Sequence, residues 1–193
     1  MVLSECEFDE LGCRSSDTRV VFFEDCRIPA ENLVGGESEL GKGFKFFMKT
    51  LDGGRISIAA MALGIAQGAL DKAIPYARER TQFGKPIGVF QGVGHRIADM
   101  ETEIQAARHM VYNSAWLKDQ GKPLEHQSAM AKLFASEVAM RAADSAIQIL
   151  GACGYMREYH VERYLRDAKL CEIGEGTSEI QRLVISRHML GRL

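Results

Sequence analysis

A glutamate between two glycines stands near the end of the chain, in the run Gly174-Glu175-Gly176-Thr177. Glycine allows backbone angles that other residues avoid and lets the backbone approach a ligand closely. Thr177 is a predicted N-cap for a helix over 178–190, whose first amides and dipole favour a negative group nearby. A carboxylate in such a turn is available to act as a base, although the same pattern alone is also typical of a polar surface turn.

Two further segments combine polar side chains with glycine. In residues 78–84, arginines, a glutamine and a phenylalanine precede Gly84. A guanidinium group is a planar fork that suits phosphate, and phenylalanine offers a stacking face. In residues 148–155, Gly151 and Gly154 stand at the end of a predicted helix, where an ordinary glycine C-cap is the alternative explanation.

The elements that must position these segments are mostly helical. We expect a short helix over 44–51, and a longer one from an Asp52 N-cap to about Arg80, with Pro75 as a kink or local break. Apolar residues at steps of three and four predict two more long helices, from Val89 to about 120 and from about 124 to 150. Their seams are Val93, Ile97, Met100, Ile104, Ala107 and Val111, and Met130, Phe134, Val138, Ala142, Ala146 and Ile149. Joined by short loops, these helices predict a mainly α fold, an antiparallel bundle, followed by short helices over about 161–172 and 178–190.

Residues 1–35 are predicted to be strand and loop. The stretch 18–26 is rich in β-branched and aromatic residues, and Pro29 ends the strand because proline cannot donate to a sheet. One or two strands do not form a stable sheet alone. Either a partner completes the sheet or the chain is the tail of a larger protein.

Composition excludes several classes of function. The chain of 193 residues is 46% hydrophobic and 26% charged, which is typical of a globular protein. The net charge of -2 gives no electrostatic basis for binding nucleic acid. No uninterrupted apolar run approaches the roughly 20 residues of a membrane span. Five cysteines without a C-x-x-C pair and five scattered histidines predict no metal site, and a reducing compartment.

Taken in order, these segments resemble the C-terminal part of the acyl-CoA dehydrogenase family over essentially the whole chain. The matching segments are Phe23 to Leu33, Leu51-Asp-Gly-Gly-Arg55-Ile, Arg80-Thr-Gln-Phe-Gly-Lys-Pro86, Gln148 to Tyr155, Arg166-Asp-Ala-Lys169 and Glu175-Gly-Thr-Ser-Glu-Ile-Gln-Arg182. The resemblance implies that residues 1–35 are the end of the family's middle β-domain and 36–193 its C-terminal helical domain. Because the family's N-terminal helical domain and most of its β-domain have no counterpart here, we expect a fragment that is incomplete as a catalyst.

The resemblance also implies a reaction. The glutamate that matches Glu175 removes the α-proton of an acyl-CoA thioester, and the β-hydrogen leaves as hydride to FAD, giving a trans-2-enoyl-CoA. The Glu175 amide is the expected donor to the thioester oxygen. In some branches of the family the base lies one residue before the arginine that matches Arg55, which here is Gly54. The nearest rivals, Glu172 and Glu179, are predicted to be charges on helix surfaces.

By the same resemblance, the expected substrate and cofactor contacts fall into three groups. The acyl-CoA site is lined by Asp52, Arg55 and Gly176. The FAD of a neighbouring subunit is contacted by Arg80, Gln82, Phe90, Gln91, Gln148, Ile149, Leu150, Gly151 and Ala152. The subunit's own FAD is contacted by Thr177, Ser178, Glu179 and Ile180.

The implied partners are an electron-transfer flavoprotein or similar acceptor and further copies of the chain, as a dimer or tetramer. The implied compartment is the cytoplasm, or the mitochondrial matrix in a eukaryote. Two alternatives remain open: an acyl-CoA oxidase, and a non-catalytic helical oligomerisation module.

Overall fold

Runs of alanine and larger aliphatic residues at helical spacing make the chain mainly α-helical, which confirms the predicted fold class. The computed structural model describes residues 2–191, and for residues 2–7 it describes the backbone only. The helices are α1 (Gly43–Glu79), α2 (Gln91–Asp119), α3 (Glu125–Leu150), α4 (Ala152–Tyr155), α5 (Val161–Ile173) and α6 (Ser178–Leu190). Two antiparallel pairs of strands complete it: β1 (Val2–Glu7) with β2 (Arg19–Phe23), and β3 (Thr81–Gln82) with β4 (Lys85–Pro86).

Helix α3 is the centre of the bundle, because α1, α2, α5 and α6 all pack against it. The predicted α2 seam is confirmed from Met100 to Val111, and Val93 and Ile97 lie half-buried against the core. On α3 the predicted Ala142 and Ala146 are buried, and the burial of Ala131, Ala135 and Ala139 beside them was not predicted. We call the buried alanines of α1 and α3 the alanine seam: Ala59, Ala62, Ala66, Ala69, Ala73 and Ala77, with Ala131, Ala135, Ala139, Ala142 and Ala146.

Helix α1 is a single element of 37 residues, so the predicted break at Asp52 is wrong. Asp52 lies inside the helix, where its carboxylate accepts a hydrogen bond from Arg55 at 2.9 Å instead of capping a helix. The helix also continues through Pro75. Ala73 and Ala77 are buried on either side of this proline, and their packing holds a turn that proline alone would weaken.

The lead-in before α1 has one antiparallel strand pair, with Leu3 opposite Phe22 and Ser4 opposite Val21. Within residues 2–191 no third strand joins this pair, and the side chains of β2 are exposed. The loop that connects β1 to β2 is tied to α5, since the Cys13 amide donates to Asp167 at 2.7 Å and Arg166 donates to the Leu11 carbonyl at 3.0 Å. The domain boundary after residue 35 stays a prediction.

By length and composition alone, α1 would be able to cross a membrane. The lack of an uninterrupted apolar run therefore does not by itself exclude a membrane-spanning helix. In the fold, however, the apolar face of α1 packs against α2, α3 and α5, and Arg55 is buried within it. That arrangement is typical of the core helix of a globular domain.

Candidate active site

The predicted base lies in the turn between α5 and α6, and the turn has an unusual backbone. Gly176 has φ +92° and Glu175 itself φ +55°. Gly174, with φ -62°, is not in the left-handed region, so the predicted conformational freedom is used at Gly176 and not at Gly174. The left-handed region costs a residue other than glycine about 1–2 kcal/mol. The surrounding structure must therefore hold Glu175 in place.

Buried side chains and a helix cap hold this turn. Gln181 of α6 donates to the carbonyl of Glu175 at 3.1 Å and to that of Gly176 at 2.9 Å. Lys132 of α3 donates to the same Gly176 carbonyl at 2.8 Å. The predicted N-cap is confirmed, since the Thr177 hydroxyl accepts a bond from the Ile180 amide at 3.4 Å.

The carboxylate of Glu175 packs against Gly54 of α1. A Cβ atom built on Gly54 would lie 2.6 Å from the Glu175 carboxyl carbon, so a larger residue and this carboxylate cannot share the space. The Oε2 atom of Glu175 is buried without a hydrogen-bond partner. Because an unpaired buried carboxylate oxygen is costly, natural proteins rarely keep one without a functional reason.

Asp52 and Arg55, the predicted substrate residues, lie in the same turn of α1 as Gly54. Arg55 is only 1% exposed, and its Nε has no hydrogen-bond partner. Burial raises the pKa of Asp52, Arg55 opposes that change, and the negative charge of Glu125 adds to it. The structure thus brings a buried cation and an unpaired carboxylate together beside one glycine.

The two rival glutamates lie differently. Glu172 is held by Lys169 at 2.6 Å on the surface of α5. Glu179 is exposed in the first turn of α6, where hydrogen bonds from its own backbone amide and from Thr177 lower its pKa and weaken it as a base. Of the predicted contacts to the subunit's own FAD, Ile180 and Glu179 are exposed, whereas Ser178 is buried with an unpartnered hydroxyl.

The second cluster of predicted residues lies where α1 ends. There β3 and β4 form a tight hairpin, whose turn residues Phe83 and Gly84 both have positive φ, as hairpin turns favour. A pocket of about 300 Å³ is lined by Tyr76, Arg80, Gln82, Ile87, Ile149, Leu150, Gly151, Ala152 and Cys153. The segments 80–82 and 149–152, far apart in sequence, thus meet as the resemblance implies.

Three of the residues predicted to contact the neighbouring subunit's FAD lie outside that lining. Gln148 is exposed on the last turn of α3, and Gln91 is exposed at the start of α2. Phe90 packs edge-to-face on Phe83, with ring centres 6.1 Å apart. A larger cavity of about 740 Å³ lies elsewhere, between Met48, His126 and the end of α6, and no predicted site residue lines it. In residues 2–191, no cluster of three or more potential metal ligands occurs.

The sequence interpretation missed Lys132 and Gln181, both fully buried behind the Glu175 turn. Gln181 belongs to the matching segment but received no role. Lys132 stands between Ala131 and Leu133 of α3, and no local pattern marks this lysine as buried. Burial lowers its pKa to about 8, partly offset by the negative groups of α5 and α6.

Comparisons with known proteins give matches over nearly the whole chain. A family model described as acyl-CoA dehydrogenase, C-terminal domain, matches residues 41–190. The chain is 60% identical over 183 residues to the probable acyl-CoA dehydrogenase YngJ of Bacillus subtilis, a match that covers 95% of this chain and 47% of that protein. It is 54% identical over 182 residues to the mitochondrial short-chain specific acyl-CoA dehydrogenase of Mus musculus, covering 94% and 43%.

The fold gives the same result. The structure of butyryl-CoA dehydrogenase from Megasphaera elsdenii matches with a TM-score of 0.94 and 47% sequence identity, covering 98% of this chain and 49% of that one. The chain therefore spans about half the length of these relatives. From the matched domain, the sequence identity and the shared fold together, the chain belongs to the acyl-CoA dehydrogenase family.

Proposed function

We propose that this chain supplies the catalytic base for FAD-dependent α,β-dehydrogenation of an acyl-CoA thioester, and that Glu175 is that base. The observation that carries the proposal is the buried, unpartnered Oε2 of Glu175 against Gly54, one residue from buried Arg55. A carboxylate oxygen kept free of hydrogen bonds is able to accept a proton. The relatives named for short-chain and butyryl-CoA substrates support an acyl-CoA as the class of substrate.

The chain's own residues act on the proton. Glu175 accepts the α-proton of the bound thioester, which leaves negative charge developing on the thioester oxygen. An amide donor at that oxygen stabilises this charge, and the Glu175 backbone amide is the residue proposed for it. Gly176, Asp52 and Arg55 are proposed to line the acyl-CoA site. When FAD is bound, it would accept the β-hydrogen as a hydride.

The pocket at the end of α1 fits one portion of FAD. Arg80 offers a guanidinium for phosphate, Gln82 an amide, and Gly151, exposed with φ +59°, a backbone that a ligand is able to approach. We propose that Phe90, Gln91 and Gln148 extend this contact surface. The residues that hold the flavin ring are not evident in the described part of the chain, so the fit covers the phosphate and adenosine portions.

The length of α1 supports an oligomer. At about 1.5 Å per residue, the helix separates Gly54 from Glu79 by about 37 Å. That is longer than one extended flavin dinucleotide. The Arg80 pocket and the Glu175 turn of one chain therefore serve two different FAD molecules, and a dimer or tetramer brings the two half-sites together. On this arrangement Thr177, Ser178, Glu179 and Ile180 contact the subunit's own FAD.

We further propose that electrons pass on to an electron-transfer flavoprotein or a similar acceptor. The mitochondrial name of the mouse relative and the bacterial source of the others favour the mitochondrial matrix or a bacterial cytoplasm, respectively. An acyl-CoA oxidase would use the same base and differs in how oxygen meets the reduced flavin. A non-catalytic helical module does not explain the unpartnered carboxylate of Glu175.

The test of the base is Glu175→Gln in the full-length FAD-loaded protein that contains this chain, with Glu172→Gln as the matched control. Glutamine keeps the shape of the side chain but does not accept a proton. We expect turnover to fall by several orders of magnitude in Glu175→Gln, with FAD and acyl-CoA binding retained. The control should keep its turnover.

Substrate-dependent bleaching of the flavin at a near wild-type rate in Glu175→Gln would refute the assignment. Loss of turnover in Glu172→Gln together with an active Glu175→Gln would move the role to Glu172.

A further inference from the structure

The carbonyl oxygen of Gly176 accepts hydrogen bonds from two buried side chains of different helices. The Nζ atom of Lys132 lies 2.8 Å from it and the Nε2 atom of Gln181 2.9 Å from it. Gln181 also donates to the carbonyl of Glu175 at 3.1 Å. The two peptide groups that follow the base are thus fixed from α3 and from α6.

Burying the Lys132 side chain to bind one carbonyl group has a high desolvation cost. This side chain is 0% exposed, and a buried cation is costly unless it is compensated. The charged and titratable groups around it are Arg55 of α1, Cys171 and Glu172 of α5, and Glu179 of α6. The hydrogen bond recorded for its amino group goes to Gly176 and not to any of these.

The carboxylate of Glu175 depends on this backbone support. Its buried Oε2 atom has no hydrogen-bond partner, so no side chain anchors that oxygen. Its position therefore follows from the left-handed φ of +55° and from the space beside Gly54. If the peptide groups after Glu175 rotate, the carboxylate leaves that space.

We propose that Lys132 and Gln181 are positioning residues for the base, and that they act through the carbonyls of Glu175 and Gly176. This inference rests on the proposed function of Glu175. Neither side chain contacts the substrate. Their effect is on the rate of proton removal, whereas substrate and cofactor binding stay as they are.

The test uses Lys132→Met, Gln181→Met and the double variant in the full-length FAD-loaded protein. Methionine keeps the length of either side chain and removes the donor. Lys72→Met, an exposed lysine of α1, is the matched control. Each protein is measured for kcat, KM, FAD content and thermal unfolding.

A separate assay follows proton removal alone. Acetyl-CoA has α-hydrogens but no β-carbon, so it cannot be dehydrogenated. The rate at which it takes up deuterium from D2O, read by mass spectrometry, reports the base without any hydride step.

We expect each single variant to lower kcat and the exchange rate together by roughly 10-fold to 100-fold, since a displacement near 1 Å has effects of that order. KM and FAD content should stay within about twofold of the wild type. Each single variant leaves the Gly176 carbonyl with one donor. The fold-loss of kcat in the double variant should therefore exceed the product of the two single fold-losses.

Exchange at the wild-type rate in both single variants and in the double variant would overturn the inference. The inference would also be overturned if every variant that loses kcat also loses FAD and unfolds at a lower temperature, because that result indicates a role in folding alone. A wild type that exchanges no α-hydrogen would instead overturn the proposed function.

Discussion

Adding one methyl group at Gly54 should displace the proposed base without touching it chemically. A Cβ atom there would lie 2.6 Å from the carboxyl carbon of Glu175 and 3.0 Å from its Oε1 atom. An ordinary contact begins at about 3.4 Å. In Gly54→Ala the carboxylate must therefore retreat by roughly 1 Å, and it is able to do so because it is the end of a flexible side chain.

The expected effects on activity and on stability have opposite signs. A misplacement of about 1 Å in a catalytic group costs about 100-fold in rate. Alanine is favoured over glycine within a helix by about 0.5–1 kcal/mol, and this gain offsets the cost of moving the carboxylate. We expect kcat to fall about 100-fold while the free energy of unfolding changes by less than about 1 kcal/mol.

Gly64 of the same helix is the matched control, because nothing lies within 4 Å of a Cβ atom built there. Gly64→Ala should keep its activity and gain about 0.5–1 kcal/mol of stability. The assay is steady-state turnover of a short-chain acyl-CoA with an artificial electron acceptor, beside urea unfolding. Wild-type turnover in Gly54→Ala would show that the carboxylate works from another position, and would refute the reasoning.

Further predictions concern strain, pH and cofactor binding. The Glu175→Gly variant should have a free energy of unfolding about 1 kcal/mol higher than that of Glu175→Gln, because glycine adopts the left-handed backbone without strain. A glycine variant that calorimetry finds less stable than the glutamine variant would contradict this. Burial lowers the pKa of Lys132 to about 8, so between pH 8 and 10.5 this amine is protonated in the unfolded chain and neutral in the folded chain. Burial raises the pKa of Cys171 to about 12, so between pH 9 and 12 this thiol is protonated in the folded chain and ionised in the unfolded chain. The two effects oppose each other between pH 9 and 10.5, so stability should rise with pH from about 8 to 9, stay nearly level to 10.5 and fall above that. In urea unfolding from pH 7.5 to 11, Lys132→Met should lose the rise and start its fall at about pH 9, whereas Cys171→Ala should keep rising to about 10.5. Unchanged profiles would disprove both assignments. Residues 1–193 alone should form a folded oligomer. It should be colourless, because the chain contacts only one portion of FAD and binds it weakly. A yellow, active protein, or a monomer in light scattering, would contradict this.

Much of the site was predictable because its signals are local. The Glu175 turn, the Thr177 cap and the glycines after α3 each follow from residue types within a few positions, and the family resemblance places them in order. The seam of α2 was predictable because Met100 and Ile104 stand out against the polar residues between them.

Other features were not predictable, because they depend on long-range packing. Asp52 is a good N-cap by intrinsic preference, but its carboxylate binds Arg55 within the helix, and α1 continues through it without a break. The unpredicted buried residues of α3, Ala131, Ala135 and Ala139, are alanines, which contrast too little with polar residues to mark a face. Lys132 is buried only because α5 and α6 fold over it, and no local pattern gives that information.

The alanine seam makes the bundle sensitive to one direction of change in side-chain volume. Replacing a residue such as Ala135 by glycine leaves a small gap and costs about 0.5–1 kcal/mol of helix preference, which is at the low end of the range for core changes. Enlarging the same residue to valine or leucine pushes α1 and α3 apart, and overpacking typically costs about 1–3 kcal/mol. The same two helices carry Gly54, Lys132 and the end of the Arg80 pocket. Natural substitutions that destabilise this domain from within should therefore be mostly gains of volume, and their effect should reach the Glu175 turn and the Arg80 pocket at once.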